Sequence, residues 1–501
     1  MPIKFYINLN LSFLKKLLLV LVLLPTMFLS AQTELDALRF AHLNPTGSAR
    51  YVGAGGAFST LGANFSALAD NPAGTALYRG SEITLTTNFL LANTTSTYLN
   101  QNTSANRFRF NFNNLGLVFT NKFENKTLKA LNWAVGYNRQ ANFNRKTEYT
   151  AFNEFDSKVN DFIGQLNGFG ISPSDLFFDE AIFFDAYLID TVPGGNNEYG
   201  SFLQNGMIEQ SYSVIESGGI DEYMVAAGAN INDLIYVGAK LAIPNLNYTQ
   251  ISTLTETDVE DVVGDFEDFT YVENINITGG GFNAKIGVIA RPTESLKIGL
   301  AIKSPTSFSF TDGFSNDLQA NYTTFGNFDL QSFDGQQSII EYQLRTPWRA
   351  TVGLSSIIKR RGFISVDYHY TDYSKIEYTI DGDAQLQQRL NNIIDTAYTA
   401  SHHIKVGGEW AKENFRLRAG VQQITSPIKG SNSRLNGYYD NQTMASLGTG
   451  LHYKSFYVDG ALTFDISKKS ATSFHEVAFI NNSATTASTD FNLAITAGIK
   501  F

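Results

Sequence analysis

Over most of this chain apolar and polar residues alternate with a period of two. In Arg107-Phe108-Arg109-Phe110-Asn111-Phe112 every second side chain is aromatic, and Asn132 to Asn138, Lys297 to Lys303 and Gly362 to Tyr370 repeat the pattern. Alternation of this kind gives a strand one apolar and one polar face. About fourteen such runs follow one another, near 81–98, 105–121, 128–150, 220–231, 233–254, 268–292, 295–312, 335–358, 361–383, 401–412, 414–427, 442–454, 456–467 and 488–501. The connections between them alternate in length. Asn232-Asp233, Lys359-Arg360-Arg361, Lys412-Glu413-Asn414 and Tyr453-Lys454-Ser455 are short, whereas 151–219, 255–267, 313–334, 384–400, 428–441 and 468–487 are long. Short turns at one end and long loops at the other suit a tube of strands set in a membrane, and a stacked pair of sheets has no reason to sort its loops.

The last run supports the same reading. Phe491, Leu493, Ile495, Ala497, Ile499 and Phe501 share one face, and the chain ends in an aromatic residue. Lipid offers no hydrogen-bond partner, so strands that cross it must close on themselves and leave no edge. The expected fold is therefore all-β, a transmembrane antiparallel β-barrel of about fourteen strands. A barrel of this girth has a lumen wider than its own side chains can fill.

One stretch breaks the alternation. Residues 51–74 are small, glycine-rich and nearly uncharged before Asp70, and Phe58, Leu61, Phe65 and Leu68 recur at helical spacing. Asn71-Pro72 would stop that helix, because proline disfavours α geometry at the residue before it. Small residues let a backbone lie close against a wall, so 32–80 is expected to plug the lumen and 81–501 to form the barrel. Residues 1–31 are a targeting signal. Lys15-Lys16 precede Leu17 to Leu24, Pro25 ends the run, and Ser30-Ala31 offers a cleavage point before Gln32. The run is too short to span a membrane as a helix.

Composition changes the picture in three places. The net charge of -10 argues against nucleic acid as a partner. The absence of cysteine suits a chain exported through an oxidising compartment. Phe (39) and Tyr (24) are abundant, as expected where rings form girdles at both membrane interfaces.

Gly55-Gly56-Ala57-Phe58, Phe65 to Leu68 and Asn71-Pro72-Ala73-Gly74, set before a long β region, resemble the hatch of the FadL-type outer-membrane transporters. Thr346-Pro347-Trp348, Val366 to Ser374 and Phe415 to Val421 are similar to other parts of that family. The resemblance implies uptake of long-chain fatty acids or aromatic hydrocarbons across the outer membrane of a Gram-negative-type bacterium, down the ligand's own gradient and without a cofactor. It implies that Asn71, Pro72, Ala73 and Gly74, with Phe58 and Phe65, gate the pore. It also implies a lateral opening at a kink in the third strand, where Asn142, Phe143 and Asn144 fall, with Asn144 in place of the expected glycine. The implied partners are outer-membrane lipid and lipopolysaccharide, a small hydrophobic ligand, and the barrel assembly machinery through Phe501, with the protein a monomer.

Loop 151–219, larger than the family norm and expected outside the cell, interleaves rings with acids. Ser174-Asp175 suggests a capped helix through Phe184. Phe177, Phe178, Phe183 and Phe184 are candidates for capturing an apolar ligand, or else pack the loop on the barrel mouth. The acids of 256–268 match no calcium-loop spacing and read as solvated. No catalytic residue and no metal or haem site is assigned: the chain has neither a Gly-x-Ser-x-Gly elbow nor a His-x-x-x-His spacing, and His402-His403 would point to opposite faces of a strand. The alternative function is a receptor or adhesin barrel that binds another ligand, such as haem, without transport.

Overall fold

The computed structural model describes residues 33–42, 46–124, 127–176, 178–195, 197–332, 338–359, 361–430, 440–473 and 483–501. The expected targeting segment 1–31 and Phe177 lie outside them. Fourteen strands close into one antiparallel barrel. They are β1 (Glu82–Tyr98), β2 (Gln101–Lys122), β3 (Leu128–Asn142, then Arg145–Asn153), β4 (Ile208–Ile231), β5 (Ile235–Thr257), β6 (Phe266–Ala290) and β7 (Leu296–Lys303, then Ser307–Tyr322). They continue with β8 (Ser338–Arg345, then Arg349–Ile357), β9 (Gly362–Asp372), β10 (Ala400–Lys412), β11 (Phe415–Ile424), β12 (Gln442–His452), β13 (Phe456–Ser473) and β14 (Ser483–Lys500). The seam joins the two ends of the sheet, from Glu82↔Lys500 to Thr97↔Thr485, and closes it into a ring.

Alternation settles the facing of each side chain. In β7, Ile298, Leu300 and Ile302 lie outside, while Lys297, Gly299 and Ala301 face the lumen. Short turns collect at the near end, where β14 finishes. The long connections collect at the far end, with one exception: β1 and β2 are joined there by Leu99-Asn100 alone, both at positive φ as a tight hairpin requires. Strands β4, β5 and β6 run for 24, 23 and 25 residues. About ten would cross a bilayer, so their far halves extend beyond it.

Residues 33–42 and 46–78 lie in the lumen. Helix α1 (Glu34–Ala41) sits in the far half, α2 (Ala49–Gly53) in the near half, and two 3₁₀ turns, Ser66–Ala69 and Pro72–Leu77, lead into β1. The ends of the expected loop 151–219 belong to β3 and β4, and the connection between them, 154–207, forms a small lid built on α3 (Val159–Phe169) and α4 (Asp179–Asp185), whose core is shared with wall residues such as Tyr149, Phe269 and Tyr271. The β9–β10 connection carries α5 (Ala384–Ala397), which turns Leu390, Ile394 and Ala397 inward toward α1.

Candidate functional site

The helical spacing of Phe58 to Leu68 does not produce one helix. Gly55 and Gly56 (both φ +64°), Gly62 (+59°) and Ala63 (+47°) adopt left-handed geometry, so the segment folds as tight turns. The rings then point to different walls. Phe58 meets Phe363 edge-on at 5.5 Å, and Phe65 lies over Gly116 and Gly136. Asn71 caps the turn that follows, its side chain accepting from the Ala73 amide at 3.0 Å, with Pro72 in the first position, where no amide is needed. The Asn71 amide nitrogen also donates to Leu300 O at 3.5 Å, so the motif holds turn and wall together.

The wall receives this segment through missing side chains. A Cβ added at Gly238 would lie 2.3 Å from Pro72 O, at Gly287 2.0 Å from Asn71 Oδ1, at Gly407 1.9 Å from Ala54 O, and at Gly420 2.2 Å from Gly55 N. Several of these glycines are ladder partners: Gly228↔Gly238↔Gly287, Gly299↔Gly353 and Gly407↔Gly420. They make a belt at one height, against which the hatch backbone rests. Its sequence signal in several strands is a glycine between two apolar residues, as in Val237-Gly238-Ala239, Ile286-Gly287-Val288 and Val352-Gly353-Leu354. A reading of strands alone passes over it.

Polar groups fasten the contact. Ser59 donates from N and Oγ to Asp367 at 2.8 and 2.6 Å, and Thr60 pairs with Ser355 at 2.7 Å. Lys297 donates to Leu61 O, and Asn132 to Thr75 O and Tyr78 O. Arg50 reaches Glu409, which also binds Arg418. Asp70 accepts from Tyr51 Oη at 2.7 Å and pairs with Lys405 at 3.2 Å. Burial alone would raise the Asp70 pKa, but Lys405 and then Lys285 outweigh it and hold the carboxyl below its ordinary range. Asp70, Asp367 and His369 bring three ligand atoms within 4.8 Å of one another. The Lys405 ammonium already supplies the positive charge beside them, so the cluster reads as an ion-paired clamp.

Above the hatch lies a basic chamber. Lys240, Lys285, Lys303, Arg349 and Lys405 line it, against Glu222 and Asp70. Lys240 and Glu222 pair at 2.5 Å, and His369 Nε2 is buried without a hydrogen-bond partner. Higher still, the lumen becomes aromatic. Phe40 of α1 sits among Phe143, Tyr248 and Phe310 at 6.0, 5.7 and 5.3 Å between ring centres. Tyr378 and Tyr398 donate to Thr33 O and Glu34 O, tying α1 to the β9–β10 connection.

The third strand is interrupted at Phe143-Asn144. Its ladder with β2 ends at Asn114↔Asn138, and Arg145–Asn153 pairs with β4 alone. That segment turns inward, where Lys146 O accepts from Thr94 of β1 at 2.7 Å and Arg145 approaches Asp490 of β14 at 3.7 Å. Asn144 takes the place of a glycine by bonding locally, to Asn142 Oδ1 and Gly218 O. In the lid the expected Ser174–Phe184 helix is split. Pro173–Asp175 is a 3₁₀ turn, Phe178 takes φ +54°, and α4 starts at Asp179 without a side-chain cap. Phe183 is fully buried against Phe162, Phe269 and Tyr271, Phe184 packs on Tyr199, and Phe178 is half-buried. These rings hold the lid to the wall, and Phe183 presents no free face to a ligand.

The structure of a FadL homologue from Pseudomonas aeruginosa aligns with 92% of this chain and 100% of its own, at 14% identity and a TM-score of 0.54. The P. putida toluene transporter TodX aligns with 92% and 99%, at 12% identity and 0.55. At such identities the likeness is one of fold. No curated protein matches the sequence. The family model for outer membrane protein transport proteins (OMPP1/FadL/TodX) matches residues 225–499, over half of the chain. With that match and a barrel corked by its own N-terminal segment, the chain belongs to the FadL/TodX family of outer-membrane transport channels for hydrophobic compounds.

Proposed function

We propose that this channel takes up amphipathic apolar molecules with an acidic head, of the long-chain fatty acid class. The observation that carries this reading is the order of surfaces along the lumen: an aromatic box around Phe40, then the basic chamber of Lys240, Lys285, Lys303 and Arg349, then the hatch. A chain favours the first surface and a carboxylate the second. A neutral hydrocarbon gains nothing from these four basic side chains. The aromatic box by itself favours the second reading, aromatic hydrocarbons.

The lid end faces the cell exterior and the short turns face the periplasm. Residues 1–31 are removed on export, and Phe501 engages the barrel assembly machinery. Ligand caught at the lid displaces packing in the filled lumen, and the Asn71–Gly74 turn gates what lies below. Exit is sideways at Asn142-Phe143-Asn144, into lipid and lipopolysaccharide. Uptake of labelled oleate and of toluene by proteoliposomes tests the reading. Oleate should enter faster than through empty liposomes and toluene should not. Equal rates with and without protein refute transport, and a toluene preference moves the reading to the second class.

A further inference from the structure

The inward turn of β3 leaves a window in the wall. Above Asn114, β2 is paired with β1 alone, while the facing wall is β4 with the second segment of β3. Below Arg107 the outward side chains are apolar, Phe108, Phe110 and Phe112 on β2 and Phe89 and Leu91 on β1, whereas Asn93 and Asn106 just above it are polar. The part of the window below Arg107 therefore opens to lipid.

At its lower end Tyr137 and Arg139 of β3 reach across it, donating to Phe112 O at 3.0 Å and Asn111 Oδ1 at 2.6 Å. Higher up, Arg107 spans it. Arg107, on the lumen side of β2, donates from one terminal nitrogen to Glu216 O at 2.6 Å and Arg145 O at 3.0 Å. The other donates to Ser217 Oγ at 2.8 Å. A single guanidinium thus joins β2, β3 and β4. All three acceptors are neutral. A carboxylate offers the same planar donors two charged oxygens, and such paired bonds are roughly twice as strong.

We propose that Arg107 is the latch of this lateral window, and that an acidic head group releases it by taking its guanidinium from Glu216 O, Arg145 O and Ser217. Neutral apolar molecules meet a closed wall. This rests on the transport reading above and adds the residue that selects at the exit.

The chain has no cysteine, which permits a clean test. Arg107→Cys with Ser217→Cys, joined by a short bis-methanethiosulfonate, should abolish oleate uptake by proteoliposomes, and reductant should restore it. In the unlinked series, Arg107→Met should raise uptake of oleyl alcohol about tenfold and remove the preference for oleate. Arg107→Lys, which keeps the charge and loses the fork, should fall between. Heat-modifiable mobility on gels verifies that each barrel is closed. Oleate uptake unchanged by the cross-link would overturn the latch. If loss of the Asn71–Gly74 turn still alters permeability in that protein, transport stands and only the lateral route falls. An Arg107→Met protein that keeps the wild-type preference for oleate would equally refute the selection.

Discussion

Gly407→Ala tests whether the glycine belt holds the hatch in place. Its added methyl would lie 1.9 Å from the Ala54 carbonyl oxygen and 2.6 Å from its carbon, both backbone atoms that no rotamer change can move aside. Ordinary contact begins at 3.4 Å, so the hatch must retreat by about 1.5 Å. Overpacking of this kind costs about 1–3 kcal/mol. Because every 1.4 kcal/mol is tenfold, the unseated fraction should rise about 5- to 150-fold. The barrel itself should be untouched, since alanine at this position keeps the backbone pairing with Ser365 and Gly420. Gly460→Ala is the matched control: it is another strand glycine whose added methyl would meet nothing within 4 Å. Single-channel conductance in planar bilayers reads the hatch, and gel mobility after graded heating reads the barrel. Gly407→Ala should conduct more and more often at unchanged barrel stability, while Gly460→Ala behaves as wild type. Indistinguishable conductance for the two would refute the belt as a seat.

Four further outcomes follow. Replacing Asn71 with Ala removes the cap on the Ala73 amide, worth about 1 kcal/mol, and should raise conductance with no loss of barrel mobility on gels. Asp70 has a depressed folded pKa, so its contribution is complete above the ordinary carboxylate value and is lost as pH falls through the folded one. Conductance should therefore increase on acidification below about pH 4, and Asp70→Asn should remove that dependence. Lys405→Met leaves Asp70 buried without its partner, at about 3–5 kcal/mol, and should open the channel at neutral pH, read as antibiotic sensitivity of expressing cells. Phe183→Ala should cost the lid about 3–5 kcal/mol and expose 154–207 to trypsin, leaving the barrel resistant.

The barrel was legible because a strand with one face in lipid must alternate, and each of the fourteen runs corresponds to one strand. Legibility failed where both faces are covered. The first half of β4 lies against the inward segment of β3, and from Ser211 to Gly218 it is half-buried without alternation, so the expected strand began only at 220. The helical spacing of Phe58 to Leu68 misled because four positive-φ residues turn the chain before a helix can form. The hatch motif could be found from its turn chemistry, with Asn71 and Pro72 adjacent. The basic chamber could not. Lys240, Lys285, Lys303, Arg349 and Lys405 come from β5, β6, β7, β8 and β10, and only closure of the sheet brings them together.

The seam between β14 and β1 bears on how the molecule is made. Pairing the last strand with the first is the contact of greatest chain separation, and it pays the largest loop-closure cost, so it forms late. Residues 46–78 lie in the lumen and lead into β1, so they must already be inside when that zipper closes. Biogenesis thus traps the stopper in the bottle, and an error in docking the N-terminus would yield a finished but leaky pore that no later step repairs.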